Sequence, residues 1–117
     1  MKIERIRQWT GEADEGLCYA VGRDRDEIAA GVNSGGLELF RLWEGAAYMV
    51  TRTRLGTVTV CCYQGARLVE AAEWLFEHAR RLGLRKVRFH TERPALARLL
   101  KSFSFEHIEH VFEARVR

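Results

Sequence analysis

The chain has 117 residues, of which 47% are apolar and 30% charged, with a formal net charge of +3 and three cysteines. That length holds one domain with a modest core and is too short for two, so residues 1–117 are read as a single domain. The composition excludes a disordered chain and a disulfide framework, and no apolar run approaches the roughly 18 residues of a membrane-crossing helix.

Met1–Arg5 has no signal-peptide character, so a soluble, cytoplasmic protein is expected. Lys2–Trp9 alternates loosely through Ile3, Ile6 and Trp9 and predicts a first strand. Thr10–Asp14 breaks it, with Asp14 as helix N-cap, and Leu17–Val21 predicts a short helix. Asp24–Val32 predicts a second helix, with Asp24 and Glu27 spaced as a capping box and Asn33-Ser34-Gly35-Gly36 ending it. From Leu37 to Glu44 the apolar period changes to two, and Gly45-Ala46 turns the chain. Tyr48–Arg54 and Thr57–Tyr63 then form a hairpin about Leu55-Gly56.

Ala66–Leu82 carries an apolar stripe through Leu68, Ala72, Leu75, Phe76, Ala79 and Leu82, and Gly83 stops it. Trp74 falls off that stripe and is expected to be exposed. Leu84–Thr91 predicts a strand parallel to Thr57–Tyr63, because a helix joins the two. Pro94 opens a helix over Ala95–Lys101, and the tail Ile108–Val116 alternates as a last strand. The whole is an α/β fold: a mixed, mostly antiparallel sheet with one parallel strand pair and flanking helices.

Several residues could carry chemistry. The strand-to-helix junction Tyr63-Gln64-Gly65-Ala66-Arg67 is a candidate anion site, because the first helical N–H groups have no helical partners and Arg67 adds charge. The alternative is a plain turn. His90 and Glu92 end the parallel strand at the sheet edge where α/β folds present ligands, and one could serve as base with the other orienting it. The alternative there is an Arg88–Glu92 pair on a solvated face. Cys61 and Cys62 read as small core residues rather than nucleophiles. His107 and His110 would point to opposite faces of a strand, so no metal site is expected. Trp74 and Trp43 are candidate interface aromatics.

Charge is unevenly spread. Residues 12–44 hold eight carboxylates against three arginines, and residues 80–101 hold eight basic side chains against Glu92 alone. The basic run lacks interleaved aromatics apart from Phe89, so solvated helix ends account for it better than nucleic-acid binding.

The stretch Ala71-Ala72-Glu73-Trp74, followed by Ala79-Arg80-Arg81-Leu82-Gly83-Leu84-Arg85-Lys86-Val87, resembles the pyrophosphate helix and following strand of the GNAT N-acetyltransferase family. Arg93-Pro94-Ala95-Leu96-Ala97-Arg98-Leu99-Leu100-Lys101-Ser102-Phe103-Ser104-Phe105 is similar to that family's Asn-Pro-Ala-Ala segment. The chain is also similar to small GNAT-like proteins encoded by bacteriophages. The resemblance implies a GNAT-like fold and acetyl-CoA held by Cys62, Tyr63, Gln64, Gly65, Ala66 and Arg67. It further implies backbone N–H groups near Cys62–Tyr63 polarising the thioester carbonyl, with His90 or Glu92 deprotonating an amine.

The departures point elsewhere. Only Gln64-Gly65-Ala66 stands where the family carries a longer glycine-rich loop, so fewer donors converge on a phosphate. The family's proton-donating tyrosine falls at Leu100, its asparagine at Arg93 and its last glycine at Ser104. The sequence therefore favours a GNAT-like domain with a degenerate acetyl-CoA site and no cofactor, acting as a non-catalytic protein-interaction or self-associating module. The alternatives are an acetyl-CoA-dependent N-acyltransferase of a small or protein amine and, third, nucleic-acid binding through the basic half.

Overall fold

The computed structural model describes residues 2–90, 106–108 and 111–116. The chain divides into two units, one of Met1–Arg52 with Cys61–Arg67 and one of Thr53–Val60 with Leu68–Arg117. Among the described residues seven strands follow the order β1-β2-β3-β4-β5-β7-β6, mostly antiparallel with one parallel pair.

In the first unit, β1 (Ile3–Ile6) pairs antiparallel with β2 (Glu38–Leu42), and β2 with β3 (Ala47–Arg54), in the register Ile3↔Leu42 and Leu39↔Val50. Between β1 and β2 come α1 (Gly11–Gly16), α2 (Cys18–Val21) and, after a 3-10 turn at Gly22–Asp24, α3 (Arg25–Ser34). Leu17, Val21, Val32, Leu39 and Val50 bury together as the core of this unit. Each such side chain contributes on the order of 1.5–3 kcal/mol relative to exposure. β2 ends two residues earlier than its alternation predicts, because Trp43–Gly45 closes into a 3-10 turn.

The helix starts differ from the sequence reading. Thr10, not Asp14, caps α1: its hydroxyl accepts from the Ala13 N–H at 3.1 Å, and Thr10 has the extended backbone a cap requires. Asp14 instead accepts from Arg25 Nε at 2.7 Å and Trp9 Nε1 at 3.3 Å. Asp24 makes no capping bond, because the 3-10 turn gives it φ −91° and ψ 10° rather than extended backbone.

In the second unit, Leu55 and Gly56 both have positive φ, 52° and 79°, as a two-residue hairpin turn requires. β4 (Thr57–Gly65) begins there and pairs parallel with β5 (Lys86–His90), from Thr57↔Lys86 to Val60↔Phe89. α4 (Leu68–Arg81) joins them and buries Leu68, Ala71, Ala72, Leu75 and Ala79. Gly83, at φ 71°, ends it: the Leu84 N–H donates to Ala79 O at 2.9 Å and the Gly83 N–H to Arg80 O at 3.2 Å, the paired bonds of a Schellman cap. The tail is two antiparallel strands, β6 (Glu106–Ile108) and β7 (Val111–Arg115), where one was expected. Residues 106–115 contain no glycine, proline or asparagine to mark the break. The expected helix over Ala95–Lys101 lies outside the described residues.

Trp74 is half-buried, not exposed: its ring stacks on His78 at 4.7 Å with 14° between planes. Positions four apart share a helix face, which the apolar stripe alone does not reveal. Among the described residues no helix is long and apolar enough to cross a membrane.

Thr10→Ala is expected to lower stability by about 1 kcal/mol in urea unfolding, and Asp24→Ala by less than about 0.5 kcal/mol. The reverse ranking would contradict the assigned caps.

Candidate functional site

Cys62–Gly65 form the end of β4 and, with Ala66 and Arg67, belong to the first unit. The polar groups of this stretch are engaged there one by one. The Gln64 side-chain oxygen accepts from the backbone N–H groups of Tyr19 and Ala20 at 2.9 and 3.0 Å, and so ties the start of α2 to β4. The Tyr63 hydroxyl donates to Ala66 O at 2.6 Å and braces the loop from inside. The Ala66 N–H donates to Ala46 O at 3.1 Å.

Gly65 has φ 129°, and a Cβ built on it would overlap the Ala46 carbonyl oxygen and stand 2.5 Å from Ala47 Cα. Glycine is required here by backbone approach as well as by conformation. Arg67 is left-handed, at φ 64°, and its guanidinium lies 4.5 Å from the Trp43 ring centroid. This is a cation–π contact, on the order of 0.5–2 kcal/mol.

Trp43 and Glu44 also hold positive φ, 48° and 60°, directly before Gly45 at 100°. Arg41 fixes this turn. Its Nη2 donates to Glu44 O at 2.8 Å, while its Nε meets Glu12 Oε2 at 3.0 Å and its Nη1 approaches Glu4 at 3.7 Å. Glu12 is held below the usual carboxylate range, by the Tyr48 hydroxyl first and Arg41 next. The stability this lends is present at neutral pH and is lost as acid protonates the carboxylate. Tyr48 is only 3% exposed, and burial, then Glu12, pushes its phenol up. Its hydroxyl lies beside Glu12 and Arg41 yet makes no bond of good geometry, and Trp43 Nε1 is likewise buried without a partner among the described residues. Nothing local in the sequence marks Glu12, Arg41 and Tyr48 as a set. Gly45 was the one signal of the turn.

The cysteines are shielded. Cys62 is buried with its Sγ 3.8 Å from Ala20 O, and burial first, then Cys61, pushes its thiol up to about 12. Burial also raises Cys61. His90 is the last residue of β5, with its backbone opposite Val111, and Glu92 lies outside the described residues. Trp43 lies under Arg67 and Trp74 against His78. Among the described residues no three His, Cys, Asp or Glu side chains are placed to hold a metal ion.

No family model and no curated protein matches the sequence. Solved structures do match. A putative acetyltransferase of the GNAT family from Desulfovibrio desulfuricans superposes with a TM-score of 0.73 at 12% identity, over 99% of this chain and 99% of that one. The fold is GNAT-like. An acetyltransferase from Bacillus subtilis in complex with CoA gives 0.69 at 19% identity, over 90% of this chain and 76% of that one. A chain of the AtaT–AtaR complex bound to DNA gives 0.66 at 10% identity, over 99% and 95%. At such identities the likeness is one of fold, and the site must be read from this chain's own residues.

Within this GNAT-like fold two outcomes test the loop. Gly65→Ala should destabilise the protein by about 2–4 kcal/mol in denaturant melts, from overlap plus backbone strain. A neutral effect would show that the strands can part. Iodoacetamide at neutral pH should label exposed Cys18 in the native protein and Cys62 only after unfolding, read by mass spectrometry.

Proposed function

We propose that this GNAT-fold chain acts by binding another protein, or a second copy of itself, and not by acetyl transfer. One observation carries the reading: the loop that should cradle a pyrophosphate has its polar groups already engaged with the rest of the chain. The Gln64 side-chain oxygen accepts from two N–H groups of α2, the Ala66 N–H donates to Ala46 O, and Arg67 lies on the Trp43 ring. A diphosphate would compete with these contacts, and each hydrogen bond given up would cost about 0.5–1.5 kcal/mol. Leu100, where the family carries its proton donor, supports the same reading. So does the AtaT–AtaR structure, in which a chain of this fold is part of a complex. On this reading the protein is cytoplasmic, needs no cofactor, and is comparable to the small GNAT-like proteins of bacteriophages, with Trp74 and Trp43 as candidate contacts.

The CoA held by the Bacillus subtilis structure favours one second reading, an N-acyltransferase. There the N–H groups near Cys62–Tyr63 would polarise the thioester carbonyl, and His90 or Glu92 would take the amine proton.

Calorimetry and thermal melts with CoA and acetyl-CoA separate the two. The expected result is no heat and no shift in Tm at millimolar ligand. Micromolar binding would stabilise the fold by a few kcal/mol at that concentration and would overturn the interaction reading.

A further inference from the structure

The hairpin turn between β3 and β4 departs from two preferences at one residue. Leu55 takes the first turn position at φ 52°, where asparagine, aspartate or glycine is favoured and a leucine is strained by its Cβ. Its side chain is also 87% exposed. Asparagine would suit both the turn and the water. A residue that neither the turn nor the core calls for points to a use outside the fold.

The neighbouring backbone adds an independent observation. The Arg85 and Lys86 N–H groups both donate to Gly56 O, at 2.8 and 3.2 Å, which fixes the link from α4 to β5 beside the turn. Leu82, at the start of that link, is 57% exposed. The Arg85 guanidinium lies over Gly56, 3.4 Å from where a Cβ would stand. The register Thr57↔Lys86 and Lys86↔Arg115 brings the end of β7 to the same edge. Arg54, Arg81, Arg85 and Arg115 are all exposed, and none has an ion-pair partner among the described residues.

We propose that this edge is a docking surface for an acidic segment of a partner protein that carries large apolar side chains. The proposal rests on the interaction reading above and names the chemistry of the partner. Leu55 and Leu82 supply apolar contact area, and the arginines supply forked donors for carboxylates. A nucleic acid would use the arginines but gain nothing from exposed leucines, and none of these edge residues is aromatic for a base to stack on. Two-fold pairing of this edge with its own copy would set arginines against arginines.

The test is fluorescence anisotropy with a labelled peptide alternating glutamate with leucine and phenylalanine. A glutamate–serine peptide of equal charge and a single-stranded oligonucleotide of equal length serve as comparators. The mixed peptide should bind at least about tenfold tighter than either, with affinity falling as salt rises. Leu55→Asn should cut that affinity about tenfold while leaving Tm unchanged or higher, and Arg85→Glu should weaken it with the fold intact. No binding of the mixed peptide, an unchanged affinity in Leu55→Asn, or tighter binding of the oligonucleotide would overturn the proposal. A CoA titration of the same sample keeps the readings apart. If neither CoA nor peptide binds, this surface alone falls; if CoA binds, the reading of the loop falls and the peptide result still decides the surface.

Discussion

At Gly65 the backbone of β4 comes so near Ala46 and Ala47 that only a hydrogen atom fits between them. Much of the first unit follows from that approach. It lets the Ala66 N–H reach Ala46 O and carries Arg67 onto the face of Trp43. The turn on the other side is bent to match: Trp43, Glu44 and Gly45 all hold positive φ. Two of those three residues have side chains, and left-handed backbone at each costs on the order of 1–2 kcal/mol. The interlocked contacts offset that strain. Neither loop would hold its conformation in isolation.

Two polar ties secure the same region. Arg41 gathers Glu12, Glu4 and the Glu44 carbonyl, joining α1, β1 and the turn. Gln64 joins β4 to α2 through two backbone N–H groups. The ion pairs are exposed, so their energy is small and their value is geometric. A loop held by its own donors is ordered without a ligand, whereas a phosphate-binding loop must keep those donors open. The scaffold is GNAT-like, and the use of this junction has to be read from its own contacts.

The second unit is regular where the first is strained. Its helix, Schellman cap and parallel pairing each agree with local preference, as foldable sequences tend to. Leu55 is the exception. It sits in a turn of the right geometry with the wrong chemistry for both turn and solvent, flanked by arginines that have no carboxylate partner among the described residues.

The sequence by itself determined what depends on neighbours a few residues away. The alternation of β2 to β4, the stripe of α4, the stop at Gly83 and the turn at Leu55-Gly56 were legible because burial repeats with the period of each element. The joining helix likewise implied a parallel pair. Tertiary structure alone decided the rest. Glu12 and Arg41 are 29 residues apart, and Gln64 lies 44 residues from Ala20. Asp24 reads as a cap until the 3-10 turn rotates its backbone, and Trp74 as exposed until His78 stacks on it. At Gly65 packing sets the backbone against Ala46 and Ala47, an approach that no local pattern marks. A glycine in a sequence announces that something must come close; only the folded chain decides whether that is a phosphate or another strand.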